Sequence, residues 1–244
     1  MRQFIPLFKR EFFAYFRSPL AYVFIVIFLL ASVGCTFFIG KLYDSNQASL
    51  TSFFSFLPWL QLVLIPAVGM RLWAEERHSG TIELLFTLPV TLTEAVIAKF
   101  MAGWAFISIT LLLTFGLAFT VAYLGDPDWG VICSSYLAGI FMGGAFLGIS
   151  SMVSALTKNQ VIAFILGVVI SFFMIVLGWG VFTNILATIF PVFIVDTIAT
   201  LGVMPHFTPM IRGVIDSRDL VYFLLLIGTT LSLNAMILQH KKAT

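Results

Sequence analysis

The sequence predicts an all-α integral membrane protein: six transmembrane helices, an N-terminal interfacial helix, a short cytoplasmic helix between spans 2 and 3, and a partly re-entrant outer segment between spans 5 and 6. Three observations lead there. Of 244 residues, 60% are hydrophobic and only 10% charged, against about 25% charged in soluble domains, and mean hydropathy is +1.07. Uncharged apolar runs long enough to cross a bilayer recur along the whole chain. Between the second and third of them lies a polar island, residues 74–94, that holds four of the eleven acidic residues.

Taken in order, residues 1–18 form the interfacial helix. Phe4, Phe8, Phe12 and Phe16 recur every four residues and Gln3, Arg10 and Arg17 every seven, which gives one apolar and one polar face. Ser18-Pro19 has the form of an N-cap followed by proline at the first helical position. Span 1 covers residues 19–40; it is too long for a cleavable signal and lacks a small-residue cleavage pattern, so it is expected to stay as an anchor. Span 2, residues 53–73, contains Pro58, Gln61 and Pro66, and its prolines are expected to kink it.

In the polar island, Ser79-Gly80-Thr81 offers a break and a cap. Ile82, Leu84, Leu85 and Phe86 then supply an apolar face beside Glu83, and Pro89 stops that helix. Thr91-Leu-Thr-Glu94 has the spacing of a capping box and opens the next apolar run. Span 3 is expected over 100–124. Asp126-Pro127-Asp128 and its flanking glycines make a tight turn, and span 4 covers 131–156. Gly139, Gly143, Gly144 and Gly148 sit at a spacing that permits close helix packing, within one chain or between two copies.

Residues 161–195 carry no charge, which is too short for two spans and a turn. A single span over 161–182 is expected, followed by an outer segment over 183–219 broken at Asn184 and Pro191, and a last span over 220–238. With six spans and both termini inside, ten of the thirteen basic residues lie on the inner side; Lys41, Arg212 and Arg218 lie outside. A seven-span arrangement keeps the same ratio, so length decides the count.

Several chemistries are excluded. A net charge of +2 without clustering offers no nucleic-acid surface. Cys35 and Cys133 read as two small apolar residues, with neither a disulfide framework nor metal spacing. Uninterrupted spans lack the central ionised group that ion-coupled transport requires, and paired titratable groups suited to catalysis are missing from them. The Gly34–Leu42 stretch has the wrong spacing for a phosphate loop. Gln61, Phe172, Phe173, Asp196, Asp216, Arg218 and Asp219 are candidates for a path or an outer gate. For Gln61 an interhelical hydrogen bond is the stronger expectation, and for the aromatics lipid contact is.

The stretch E-E-R-H-S-G-T-I-E-L-L-F-T-L-P-V-T resembles the cytoplasmic coupling segment of type-2 ATP-binding-cassette (ABC) permeases. S-A-L-T-K-N-Q-V-I-A-F-I-L-G at 154–167 and R-G-V-I-D-S-R-D-L-V-Y-F at 212–223 are similar to its gliding-motility exporter branch. The resemblance implies a single permease domain that works as a homodimer in the bacterial inner (cytoplasmic) membrane with two separate ATPase subunits. Glu75, Glu76, Arg77, Gly80, Thr81, Glu83, Leu84 and Leu85 would form the ATPase-coupling region, ATP and magnesium would reside in the partner, and a membrane-anchored auxiliary subunit would be a further partner. The chain itself would be no enzyme and hold no cofactor. Two other functions compete: the same architecture passing force to an extracytoplasmic partner without transport, and an ATP-independent channel.

Overall fold

In the computed structural model, which describes residues 4–42, 49–80 and 91–242, every regular element among the described residues is helical. Among the described residues, six helices are long and apolar enough to cross a membrane. Helix α1 (Phe4–Arg17) ends at Ser18, whose extended backbone turns the chain into α2 (Pro19–Gly34) with proline at its first position. A single π-helical turn, Cys35–Ile39, prolongs α2 to 21 residues.

Helix α3 (Thr51–Gly69) passes through Met70 into α4 (Arg71–Ser79), and together they make one apolar rod of 29 residues. At 1.5 Å per residue that is about 43 Å, longer than the roughly 30 Å hydrocarbon layer. The predicted end of span 2 at Trp73 is therefore passed by six residues. Nothing between Trp73 and Ser79 breaks a helix, and the charged residues there find partners. The rod stops at Gly80, whose φ of 72° is the left-handed conformation that glycine adopts without a side-chain clash.

The capping box opens α5 (Leu92–Leu113): the Thr91 hydroxyl accepts from Glu94 N–H, and the Glu94 carboxylate accepts from Thr91 N–H. The helix thus begins two turns before the expected Phe100. It breaks at Thr114, whose hydroxyl donates to Leu111 O at 2.6 Å, and resumes as α6 (Gly116–Leu124). Asp128 then caps α7 (Trp129–Leu156) through the Gly130 and Val131 amides.

Helix α7 is the axis of the bundle. Of its most apolar window 78% is buried, against 17–22% for the helices at residues 19–39, 160–177 and 217–240. Its glycines explain the difference. Gly139 lies under Leu57 and Leu111, Gly143 under Ile65 and Ile107, Gly144 against the Trp104 ring, and Gly148 against Thr230. Both glycine pairs are therefore occupied within one chain, which answers the question their spacing left open.

Asn159 caps α8 (Gln160–Leu177) by accepting from Val161 and Ile162. This helix ends five residues before the predicted 182, and the predicted break at Asn184 is not where the chain turns. Asn184 lies inside α9 (Gly180–Ala187), and the turn falls at Gly178-Trp179. The cause is tertiary: a Cβ on Gly178 would lie 2.2 Å from Pro205 Cδ, and one on Gly202 2.3 Å from Gly178 N. Pro191 does punctuate the chain and opens α10 (Val192–Thr200), which meets α11 (Met204–Met210) at 68°. Helix α11 is fastened to α8 by Val203 N–H donating to Met174 O at 2.9 Å. The last helix, α12 (Ser217–Lys242), starts at Asp216, whose carboxylate accepts from Arg218 N–H.

A Cβ on Gly148 would lie 2.4 Å from Thr230 Oγ1. Gly148→Ala is expected to cost about 1–3 kcal/mol by overpacking, read as a fall of several degrees in unfolding temperature in detergent. Adding Thr230→Ala removes the clashing oxygen and should recover part of the loss; an unchanged melt in the single variant would contradict the packing.

Candidate functional site

The end of the bundle that carries α1, α4 and the start of α5, here the near end, gathers most of the ion pairs among the described residues. Two turns into α5, Lys99 is 4% exposed. An ammonium in that setting is tolerable only if compensated. Its Nζ lies 2.6 Å from Glu76 Oε1 of α4 and 3.0 Å from Glu11 Oε2 of α1, and 5.5 Å from the centre of the Trp73 ring. The other oxygen of Glu11 meets Arg10 at 2.7 Å. One buried cation thus joins three helices. Burial pushes the Glu11 carboxyl up, but the Lys99 ammonium and the Arg10 guanidinium outweigh it and hold it below its ordinary value.

A second set of bonds ties α4 to the axis. The Ser154 hydroxyl of α7 donates to Met70 O at 2.7 Å and accepts from the amides of Trp73 and Ala74 at 3.1 and 2.9 Å. Ser151 accepts from Trp73 Nε1 at 3.2 Å and from Asn234 Nδ2 of α12 at 2.7 Å. Arg77 donates to Ala155 O at 2.7 Å, placing a cation on the carbonyl end of α7. On the outer flank of the rod, Arg71 and Glu75 form a two-pronged pair at 3.0 and 3.3 Å. The arrangement is made of ion pairs and hydrogen bonds between elements. It is a clamp that fixes the last two turns before Gly80 to α1, α5, α7 and α12.

Of the residues marked for coupling, Glu75, Glu76, Arg77 and Gly80 belong to this clamp or its edge. Thr81, Glu83, Leu84 and Leu85 lie outside the described residues. Within the chain, Glu76 meets Lys99 and Arg77 donates to the last turn of α7. Gln61 is fully buried and donates to Gly139 O at 2.9 Å, an interhelical bond. Phe172 and Phe173 are exposed on α8.

At the far end the gate candidates take different places. Asp196 is exposed on α10, Asp216 caps α12, and Arg218 is exposed. Asp219 alone is buried, 2.8 Å from His206 Nδ1. His206 Nε2 approaches Thr200 O at 3.1 Å, its ring stacks on Tyr222 at 3.9 Å, and Tyr222 donates to Leu201 O. Lys99, Glu11, Trp73, Ser151 and Ser154 at the near end, and His206 and Tyr222 at the far end, are the functional candidates that the sequence did not single out. Lys99 had one signal: a lone ammonium inside A-V-I-A-K-F-M requires a counter-ion from elsewhere in the chain.

Six apolar helices, one of them the glycine-lined axis of a bundle clamped at one end, define a multi-pass membrane subunit. Residues 5–208 match the family described as ABC-2 family transporter protein, and the chain belongs to that family. It is accordingly the transmembrane permease component of an ABC transporter, not an enzyme, and its partner is a separate ABC ATPase that carries the ATP hydrolysis. Comparison with curated proteins finds no significant match.

Lys99→Met leaves Glu11 and Glu76 facing each other without their cation. The expected loss falls toward the lower end of about 3–5 kcal/mol, since both carboxylates keep some contact with water. The double variant Lys99→Met/Glu76→Gln should melt higher than Lys99→Met alone. Equal melting of the two would show that the three groups do not act together.

Proposed function

We propose that the chain is the permease subunit of an ATP-driven exporter, operating as a homodimer in a bacterial inner membrane with both termini in the cytoplasm. The near end then faces two cytoplasmic ATPases, and residues 75–85 form the coupling region. Leu84 and Leu85 would seat in an apolar groove of the ATPase, with Glu83 toward basic residues at its rim. ATP and magnesium belong to that partner. The three motif stretches support the narrower likeness to the gliding-motility exporter branch, with its membrane-anchored auxiliary subunit.

The observation that carries this reading is the clamp. A rod that leads directly into the coupling segment is bonded to the interfacial helix through Lys99 and to the axis of the bundle through Ser154 and Arg77. A push delivered just past Gly80 would therefore move α1, α5 and α7 as one body. Closure of the ATPases would rock these helices and open the far end, where residues 183–219 act as the gate for outward passage. The sequence-based expectation that ten of the thirteen basic residues lie on the inner side fits the same orientation.

The double variant Glu83→Ala/Leu84→Ala tests it. The permease should still insert and melt normally, while the ATPase no longer co-purifies and transport-linked ATP hydrolysis is lost. Normal co-purification with normal transport would refute the assignment of this segment.

A further inference from the structure

Beside the clamp, a cleft of about 750 Å³ opens between α1, α2, α3 and α4. Its two ends differ in chemistry. Leu20, Val23 and Ile27 of α2, each about half exposed, face Leu64 and Val68 of α3 across the apolar part. The polar part lies at the near end, where Arg71 and Glu75 are the accessible charges, with side chains 33% and 49% exposed. Lys99 also borders the cleft but is committed to Glu11 and Glu76.

Length and charge identify an occupant. From Leu64 to Ser79, both on the wall, the rod advances about 22 Å at 1.5 Å per residue. One bilayer leaflet with its headgroups measures about 20–22 Å. The ionisable lining comprises Glu11, Glu75 and Glu76 with Arg71 and Lys99, and Arg10 offsets Glu11 from just outside it, so the polar end carries both signs without a net charge. A purely anionic headgroup matches only the basic half of its accessible pair, Arg71 and Glu75. A headgroup with both a phosphate and an ammonium fits it, because Arg71 presents five N–H donors and its fork on Glu75 uses two of them.

We propose that the cleft holds one zwitterionic phospholipid from the near-side leaflet. Its acyl chain lies between α2 and α3, its phosphate on Arg71 and its ammonium on Glu75. Occupancy needs no ATPase, so the site stands or falls apart from the exporter function.

Native mass spectrometry of the full-length protein, extracted in mild detergent, tests this. Wild type should retain one phosphatidylethanolamine per chain in preference to phosphatidylglycerol. Ala67→Trp fills the cleft wall and should abolish retention. Glu75→Gln should keep a lipid but lose the preference for phosphatidylethanolamine, and it decides the matter if Ala67→Trp fails to insert. Absence of bound lipid, equal retention of phosphatidylglycerol by wild type, or undiminished retention by a folded Ala67→Trp protein would overturn the proposal. So would disulfide cross-linking of two Ala67→Cys chains without bound lipid, which would make the cleft a contact between copies.

Discussion

One ammonium group organises the near end. Lys99 sits on a helix otherwise built for lipid, and isolating it there would cost several kcal/mol. The fold meets that demand with two carboxylates drawn from helices far apart in the chain, Glu11 and Glu76. Each carboxylate gains a close cationic partner from the arrangement, and the cation would be intolerable without them. The consequence is geometric as much as energetic. An interfacial helix that hydrophobicity alone would leave free to slide on the membrane surface is held at one position against α5, reinforced by Tyr15 stacking on Phe106 at 4.9 Å.

The axis obeys a different rule. Within a bilayer, apolar side chains gain little by leaving lipid for protein, so helices associate through close backbone approach and hydrogen bonds. Helix α7 uses both. Its glycines admit Leu57, Ile107, Trp104 and Thr230 to its surface, and its serines at 151 and 154 satisfy the backbone and side chains of the neighbouring rod. Gln61, which could have marked a polar path, instead closes one of these contacts on Gly139.

How far the sequence discloses all this depends on the range of the forces involved. Caps are local, so Ser18-Pro19 and Thr91 to Glu94 could be read directly and stand where expected. Span number followed from length and hydropathy. The partners of Lys99 lie 88 and 23 positions away, and no periodicity reveals them. The end of α8 was misplaced for a related reason. Gly178 terminates the helix because Pro205 and Gly202 press on it from another segment, whereas Asn184 looked the better breaker only by composition. His206 was a solitary histidine in a polar stretch until the fold set it between Asp219, Thr200 and Tyr222.

The two ends of the bundle are consequently built to different stiffness. At the near end, ion pairs and side-chain hydrogen bonds lock four helices to the rod that ends at Gly80. At the far end, α9 buries no residue and α10 only Val195. That stretch is retained by a few points, among them the Val203 amide on Met174, the Gly178 contact and the His206 cluster. Local opening follows the weakest set of contacts. Work applied to the rod should therefore appear as movement of the far-end helices and not be lost as distortion near its point of application. On the exporter reading proposed above, a permease pushed from one side and opening on the other would require this gradient, and the difference in contacts between the two ends is a property of the single chain.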